Sequence, residues 1–257
     1  MTPNCGKLKI VSDLFVTLLI WTYFIFGFLL LFALRYAWAL LWGADREFAF
    51  QRLNQRYFQS FFQVLRCITP GLALQVNEEI GSIRSSIVVA NHISYLDSIL
   101  LVSLFERQKT LVKKTFFKVP VFSYLLRRSG YIAATGGTDD PALTIRNCEE
   151  IKGYLAAGGN VFIFPEGTRS RTGLLGPFNK GAFSIARYCN APIHCLLIKG
   201  TNRLFLPGRF LFNTCVPNTI EVERIGSFSP DYGDPGFSLT DLVRRIHSLY
   251  TERLKEH

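Results

Sequence analysis

The chain has 257 residues, enough to bury a full core as one domain of ordinary size with a small appendage. Its formal charge is +10, yet 49% of its residues are apolar and 23 are Phe, a pairing that favours an anionic membrane surface over nucleic acid as partner. The six cysteines (Cys5, Cys67, Cys148, Cys189, Cys195, Cys215) are scattered, with no C-x-x-C pair and no matching histidine cluster, which argues for reduced thiols in a cytosolic compartment and against a disulfide framework or a zinc site.

From Leu14 to Leu34, "LFVTLLIWTYFIFGFLLLFAL" carries no charge over 21 positions. At ~1.5 Å per residue in a helix it reaches across the ~30 Å hydrocarbon of a bilayer. A cleavable signal peptide has an apolar run of only ~7–15 residues and a small-residue cleavage site. Here Arg35 is followed by a further apolar patch, "YAWALLW", with aromatics of interfacial type, so the segment reads as a retained anchor. Basic residues flank it on both sides (Lys7, Lys9, Arg35, Arg46), so charge chooses no orientation, and a helical hairpin that enters and leaves by the cytoplasmic face stays open. Between Phe48 and Gly71, Phe50, Leu53, Tyr57, Phe61 and Leu65 recur at helical steps among Gln and Arg. That pattern fits a helix in the headgroup region with its aromatic face down, or equally an amphipathic helix facing a core; Pro70-Gly71 ends either. The expected organisation is a membrane anchor and interfacial helix over residues 1–70, then a catalytic domain over 71–257.

From Gly71 onward strand-like and helix-like stretches alternate. Strands are predicted at Leu72–Val76, Ile87–Ala90, Thr110–Val112, Tyr131–Ala134, Val161–Phe164, Ile193–Ile198 and Thr219–Val222. Helices are predicted at Tyr95–Glu106, Val119–Arg128, Pro141–Ala157, Gly181–Cys189 and Leu239–Leu254, the third with Asp139 or Asp140 as N-cap and Gly158-Gly159 as its stop. The alternation predicts an α/β domain whose mainly parallel sheet is flanked by helices.

Two stretches sit where active groups of such sheets gather, just beyond the carboxyl ends of strands. "NHISYLD" follows "IVVA", and "PEGTRS" follows "VFIF". His92 and Asp97 bracket a possible helix start, because Ser94 with Asp97 three positions on has the form of a capping box; on that segment alone, capping and catalysis weigh equally for Asp97. In the second stretch Gly167 allows a tight turn or a close approach to a ligand, and Arg169 can hold a phosphate through a two-point fork; a turn braced by a Glu166–Arg169 ion pair is the plainer reading.

Together and in this order, "NHISYLD", "FPEGTRS" and the later "APIHCLLIKG" resemble the glycerolipid acyltransferase family, whose best-known enzymes are the 1-acylglycerol-3-phosphate acyltransferases. The resemblance covers roughly Leu72 to Gly200. It implies an N-terminal membrane-associated helical segment ahead of an α/β catalytic domain. It also implies transfer of an acyl group from a thioester, acyl-CoA or acyl carrier protein, to a lysophospholipid hydroxyl, with no metal and no resident cofactor. By the same resemblance His92 is the base and Asp97 its orienting carboxylate. Backbone N–H groups around Glu166 and Gly167 would face the oxyanion, and Thr168 and Arg169 would grip the acceptor's phosphate. Membrane lipids are the expected partners, nucleic acid is not, and a bacterial inner membrane with the catalytic domain on the cytoplasmic side is the expected location.

One block departs from the pattern. Phosphate-acceptor members commonly carry an arginine in a stretch of the form G-x-I-x-x-x-R, whereas "SGYIAATGGTDD" has Ala134, Thr135 and Gly136 near that position and Asp139 and Asp140 after it. Arg169, Lys180, Lys113 or Lys114 would have to supply the charge, and a phosphate-free amino-acid lipid is a rival acceptor. A membrane-bound acyl hydrolase is the rival reaction, although nothing in the chain resembles a G-x-S-x-G elbow. His194 reads as a satisfied core histidine and His247 as part of a solvated helix face. Phe116, Phe117, Val119, Val121 and Phe122 read as core packing before an acyl groove.

Overall fold

The computed structural model describes residues 3–134 and 141–256. The predicted N-cap at Asp139 or Asp140, and the departing block from Thr135 to Asp140, lie outside the described residues.

Seven strands form one sheet: β1 (Leu72–Val76), β2 (Ile87–Ala90), β3 (Gln108–Lys113), β4 (Ile132–Ala134), β5 (Asn160–Ile163), β6 (Ile193–Lys199) and β7 (Asn218–Phe228). Their order is β1-β7-β6-β2-β5-β3-β4, and every neighbouring pair is parallel except β6–β7. The strand alternation explains the layers. In "IVVA" of β2, Val88 and Ala90 face a cluster with Leu100, Phe162 and Leu196, while Ile87 and Val89 face the opposite one with Ile151, Phe183 and Ile246. All four residues are buried because helices cover both faces, as a parallel sheet requires.

The first face carries α1 (Pro3–Thr22), α3 (Arg46–Ile68) and α4 (Leu96–Leu104), through Val16, Ile20, Phe61, Phe62 and Leu65. The second carries α6 (Pro141–Ala156), α7 (Gly181–Cys189) and α9 (Leu239–Lys255). The predicted helices are therefore all present, the one expected at Val119–Arg128 as α5 (Pro120–Arg128), and a one-turn α8 (Thr201–Leu204) is added to them.

The N-terminal third is a helical hairpin. The backbone runs from α1 through a π-helical stretch at Tyr23–Phe32 into α2 (Ala33–Trp42), turns at Gly43, and returns as α3, capped by Asp45, whose carboxylate accepts from the Phe48 N–H. Tyr36 bonds Asn54 and Tyr23 bonds Ser60, which fixes the antiparallel pairing. Residues 8–42 are long and apolar enough to cross a membrane by length and composition. Their outer side is open: Leu30 is 81% and Leu34 87% exposed, and Trp38 and Trp42 stack on each other near the turn.

Of the two readings open for the helix over Phe48–Gly71, α3 takes the core-facing one. Phe50, Tyr57, Phe61, Phe62 and Leu65 of α3 are buried against α4 and the hairpin, so its aromatic face is a core face. Periodicity could not separate these readings, since both need one apolar stripe. The hairpin is also fastened to the α/β domain. Asp13 accepts from the Thr214 N–H (2.8 Å), the Thr214 hydroxyl (2.7 Å) and Lys9 Nζ (2.8 Å), and the Phe212 N–H donates to Thr17 Oγ1. The expected boundary at residue 70 thus divides a shared core.

Candidate active site

β2 and β5 are neighbours in parallel register, with Val89 opposite Ile163, so the loops that leave their carboxyl ends lie side by side. Asn91 ends β2 and reaches over β6: its amide donates to the Ile198 carbonyl (2.9 Å) and accepts from the Ile198 N–H (2.7 Å). The next residue, His92, is thereby held just beyond the carboxyl end of the central strand β2.

His92 Nδ1 lies 3.0 Å from Asp97 Oδ2. Asp97 is fully buried in the first turn of α4, and the same Oδ2 accepts from the Ile93 and Ser94 N–H groups, each at 2.7 Å. Capping and imidazole contact are therefore one arrangement: the carboxylate stabilises the helix start and, from that fixed place, meets the ring. Oδ1 accepts from the Thr201 hydroxyl of α8 at 2.6 Å. The imidazole stacks on Phe164 at the end of β5, with centroids 4.1 Å apart. With Nδ1 engaged and the ring plane set, Nε2 is the nitrogen left to exchange a proton.

The second loop is tied to the first. Glu166 Oε1 accepts from the His92 N–H and Oε2 from the Gly176 N–H, both at 2.9 Å, and the Ser170 N–H donates to the His92 carbonyl at 2.8 Å. Glu166 thus braces the two loops, with each oxygen on a backbone donor, and it makes no ion pair with Arg169. Gly167 has φ +69°, the left-handed conformation that favours glycine, and its N–H turns back onto the Phe164 carbonyl at 3.0 Å. That N–H is occupied, so the oxyanion role expected of it is not open in this conformation. Arg169 lies over the Tyr95 ring, 3.9 Å from its centroid, and its Nη1 is buried without a hydrogen-bond partner. A buried guanidinium nitrogen with no acceptor is costly unless an anion completes it.

His92, Tyr95, Glu166, Gly167, Thr168 and Arg169 all line one open groove with a volume of about 1720 Å³. Its apolar wall combines Phe24, Ile25 and Phe28 of the π-helical stretch with Phe58, Ile99 and Val102. Phe116, Val119 and Phe122 also line it, and Phe116 and Val119 are exposed, so these are groove residues where core packing was expected. Lys113 reaches the groove, whereas Lys180 is drawn away to the Thr240 hydroxyl on α9. His247 also differs from expectation: it packs edge-on against Phe178 at 4.9 Å, with Nε2 3.2 Å from the Gly176 carbonyl, below the braced loop. His194 is half-buried with Nδ1 unpartnered, unlike a satisfied core histidine. Thr201 lies in none of the sequence motifs, and its only advance signal is Gly200 before it at the end of β6.

The site is a histidine oriented by a buried carboxylate above a mostly parallel sheet, open to a large apolar groove. Residues 73–199 match the family model described as Acyltransferase, and the chain belongs to the glycerolipid acyltransferase family. It is 34% identical over 158 residues to the chloroplastic 1-acyl-sn-glycerol-3-phosphate acyltransferase BAT2 of Brassica napus, covering 62% of this chain and 44% of that one. It is 32% identical over 159 residues to the 1-acyl-sn-glycerol-3-phosphate acyltransferase of Saccharomyces cerevisiae, covering 60% and 51%. The chain spans only 34–54% of the length of the first curated relatives it matches. The fold resembles the crystal structure of the 1-acyl-sn-glycerophosphate acyltransferase PlsC from Thermotoga maritima, with a TM-score of 0.71 at 23% identity over 96% of this chain and 97% of that one.

Proposed function

We propose that the protein transfers a fatty acyl group from an acyl thioester to the free hydroxyl of 1-acyl-sn-glycerol-3-phosphate, giving phosphatidic acid. The observation that carries this reading is the 3.0 Å contact between His92 Nδ1 and the buried Asp97 carboxylate, beside a groove that ends at an unpartnered guanidinium nitrogen.

The acceptor hydroxyl gives its proton to His92 Nε2 as its oxygen forms a bond to the thioester carbonyl carbon. Asp97 stabilises the imidazolium and fixes the tautomer that receives the proton. The tetrahedral intermediate collapses with cleavage of the C–S bond, and the imidazolium returns the proton to the leaving thiolate. Transfer is direct, so no acyl-enzyme forms. Arg169 holds the acceptor's phosphate, with Thr168 beside it on the groove. The apolar wall from Phe24 to Val102 takes acyl chain, and the donor is acyl-CoA or acyl carrier protein. The exposed apolar side of residues 8–42 enters the membrane, and the free thiols Cys67, Cys148, Cys189, Cys195 and Cys215 suit a cytosol-facing domain.

The test is purified full-length protein in mixed micelles with both donors and a panel of lysolipids, one of them a phosphate-free amino-acid lipid, with products identified by mass. Phosphatidic acid as main product supports the reading. Free fatty acid alone would make the protein a hydrolase, and acylation confined to the phosphate-free acceptor would overturn the choice of substrate.

A further inference from the structure

The Asp97 carboxylate receives donors from two elements far apart in the chain. Three reach Oδ2 from its own segment: the Ile93 N–H, the Ser94 N–H and His92 Nδ1. Oδ1 receives the Thr201 hydroxyl, 104 positions away, its only hydrogen bond among the described residues. The rotation of the carboxylate about the Cβ–Cγ bond sets where the Oδ2 lone pairs point, and the Thr201 donor on Oδ1 restrains that rotation from the opposite side to the Oδ2 donors. In a fully buried site, it also spares an anionic oxygen from lacking a partner.

Thr201 is the first residue of α8, and contacts on both sides of it fix its place. Gly200 before it has φ +79°, and a Cβ there would collide with the Thr219 carbonyl oxygen, so the chain crosses β7 at glycine distance only. The Asn218 amide donates to the Gly200 carbonyl at 2.9 Å. Asn91 pins β6 just before it, and Asp13 of α1 holds Thr214 at the far end of the segment. Thr201 is fully buried and does not line the groove, so its route to the chemistry runs through Asp97.

We propose that Thr201 is a positioning residue for acyl transfer: its hydroxyl locks the Asp97 carboxylate in the plane that orients His92. This rests on the reading of His92 as the base. The charged groups that face the pair from the β5 side are Glu166, committed to the His92 and Gly176 N–H groups, and Arg169, stacked on Tyr95. Neither touches Thr201 in this structure, so an altered pH response in a Thr201 variant belongs to the hydroxyl.

The test compares Thr201→Ser, Thr201→Cys and Thr201→Val in the full chain in mixed micelles. It reads kcat, the KM of each substrate and the pH profile of kcat/KM. Thr201→Ser keeps the donor and should stay near wild type. Thr201→Val should lower kcat by about ten- to a hundredfold, the weight of one hydrogen bond to a charged group, with both KM values little changed. Its acid limb should move to higher pH, because a carboxylate stripped of a donor holds the neighbouring imidazole proton more tightly. Thr201→Cys, a weaker donor, should fall between, and it carries the test if Thr201→Val does not fold. Wild-type kcat and pH profile in Thr201→Val, or losses that follow thermal stability and not donor strength, would overturn the proposal. His92→Ala measured alongside separates the two claims. If it is inactive while Thr201→Val behaves as wild type, only the role of Thr201 falls; if it is active, the catalytic reading falls and takes this one with it.

Discussion

Asp97→Asn separates geometry from charge at the centre of the proposed mechanism. The amide can keep its oxygen at the Oδ2 position, facing the Ile93 and Ser94 N–H groups and His92, and turn its NH2 towards Thr201, whose hydroxyl can rotate to accept. The helix cap therefore survives, and stability should fall by no more than about 1–3 kcal/mol. What disappears is the negative charge opposite the imidazolium. Two unit charges about 4 Å apart at an effective dielectric constant of about 20 attract by roughly 4 kcal/mol, equivalent to about a thousandfold in rate. Thiol release from the donor, followed continuously and checked by product mass, gives kcat; circular dichroism and a melting curve on the same sample show that the variant is folded. A folded Asp97→Asn protein that turns over within a few-fold of wild type would refute the assignment of Asp97 and leave it as a cap.

Arg169→Ala should lower kcat/KM for a phosphate-bearing acceptor by about one to two decades while leaving the donor KM little changed, with Arg169→Lys in between because it loses both the two-point fork and the flat stack on Tyr95. An equal loss with every acceptor, phosphate-free ones included, would contradict a phosphate grip. Leu30→Lys with Leu34→Lys changes exposed side chains only, so the fold should persist while membrane retention falls, each charge costing about 2.5–3.5 kcal/mol at bilayer depth; unchanged sedimentation with membranes would count against the anchor. Burial first, and the Arg224 guanidinium second, hold His194 below its ordinary value. The unfolded chain therefore binds that proton more readily, stability rises with pH in this range, and the contribution is lost as pH falls through about 6.5 and below. In His194→Leu the drop in Tm between about pH 7.5 and 5 should be smaller than in wild type; an identical drop would show that other groups govern it.

The sequence by itself determined the strands and helices of the α/β domain and put His92 and Asp97, five positions apart, at one strand end. Their contact is local, because a turn entering a helix folds back on itself whatever surrounds it. A short continuous apolar run also announces a strand covered on both faces, as β2 is. The tertiary structure alone decided how α3 is used, because an apolar stripe fits a membrane and a protein core equally well until the partner is present. It alone brought Thr201 to Asp97 and Asp13 to Thr214, since strand order is a property of long-range pairing that no local pattern encodes. It also gave Glu166 its two backbone donors in place of the expected arginine: β2 and β5 are adjacent in the sheet though 74 positions separate His92 from Glu166, and that adjacency, not the motif, sets where the carboxylate points.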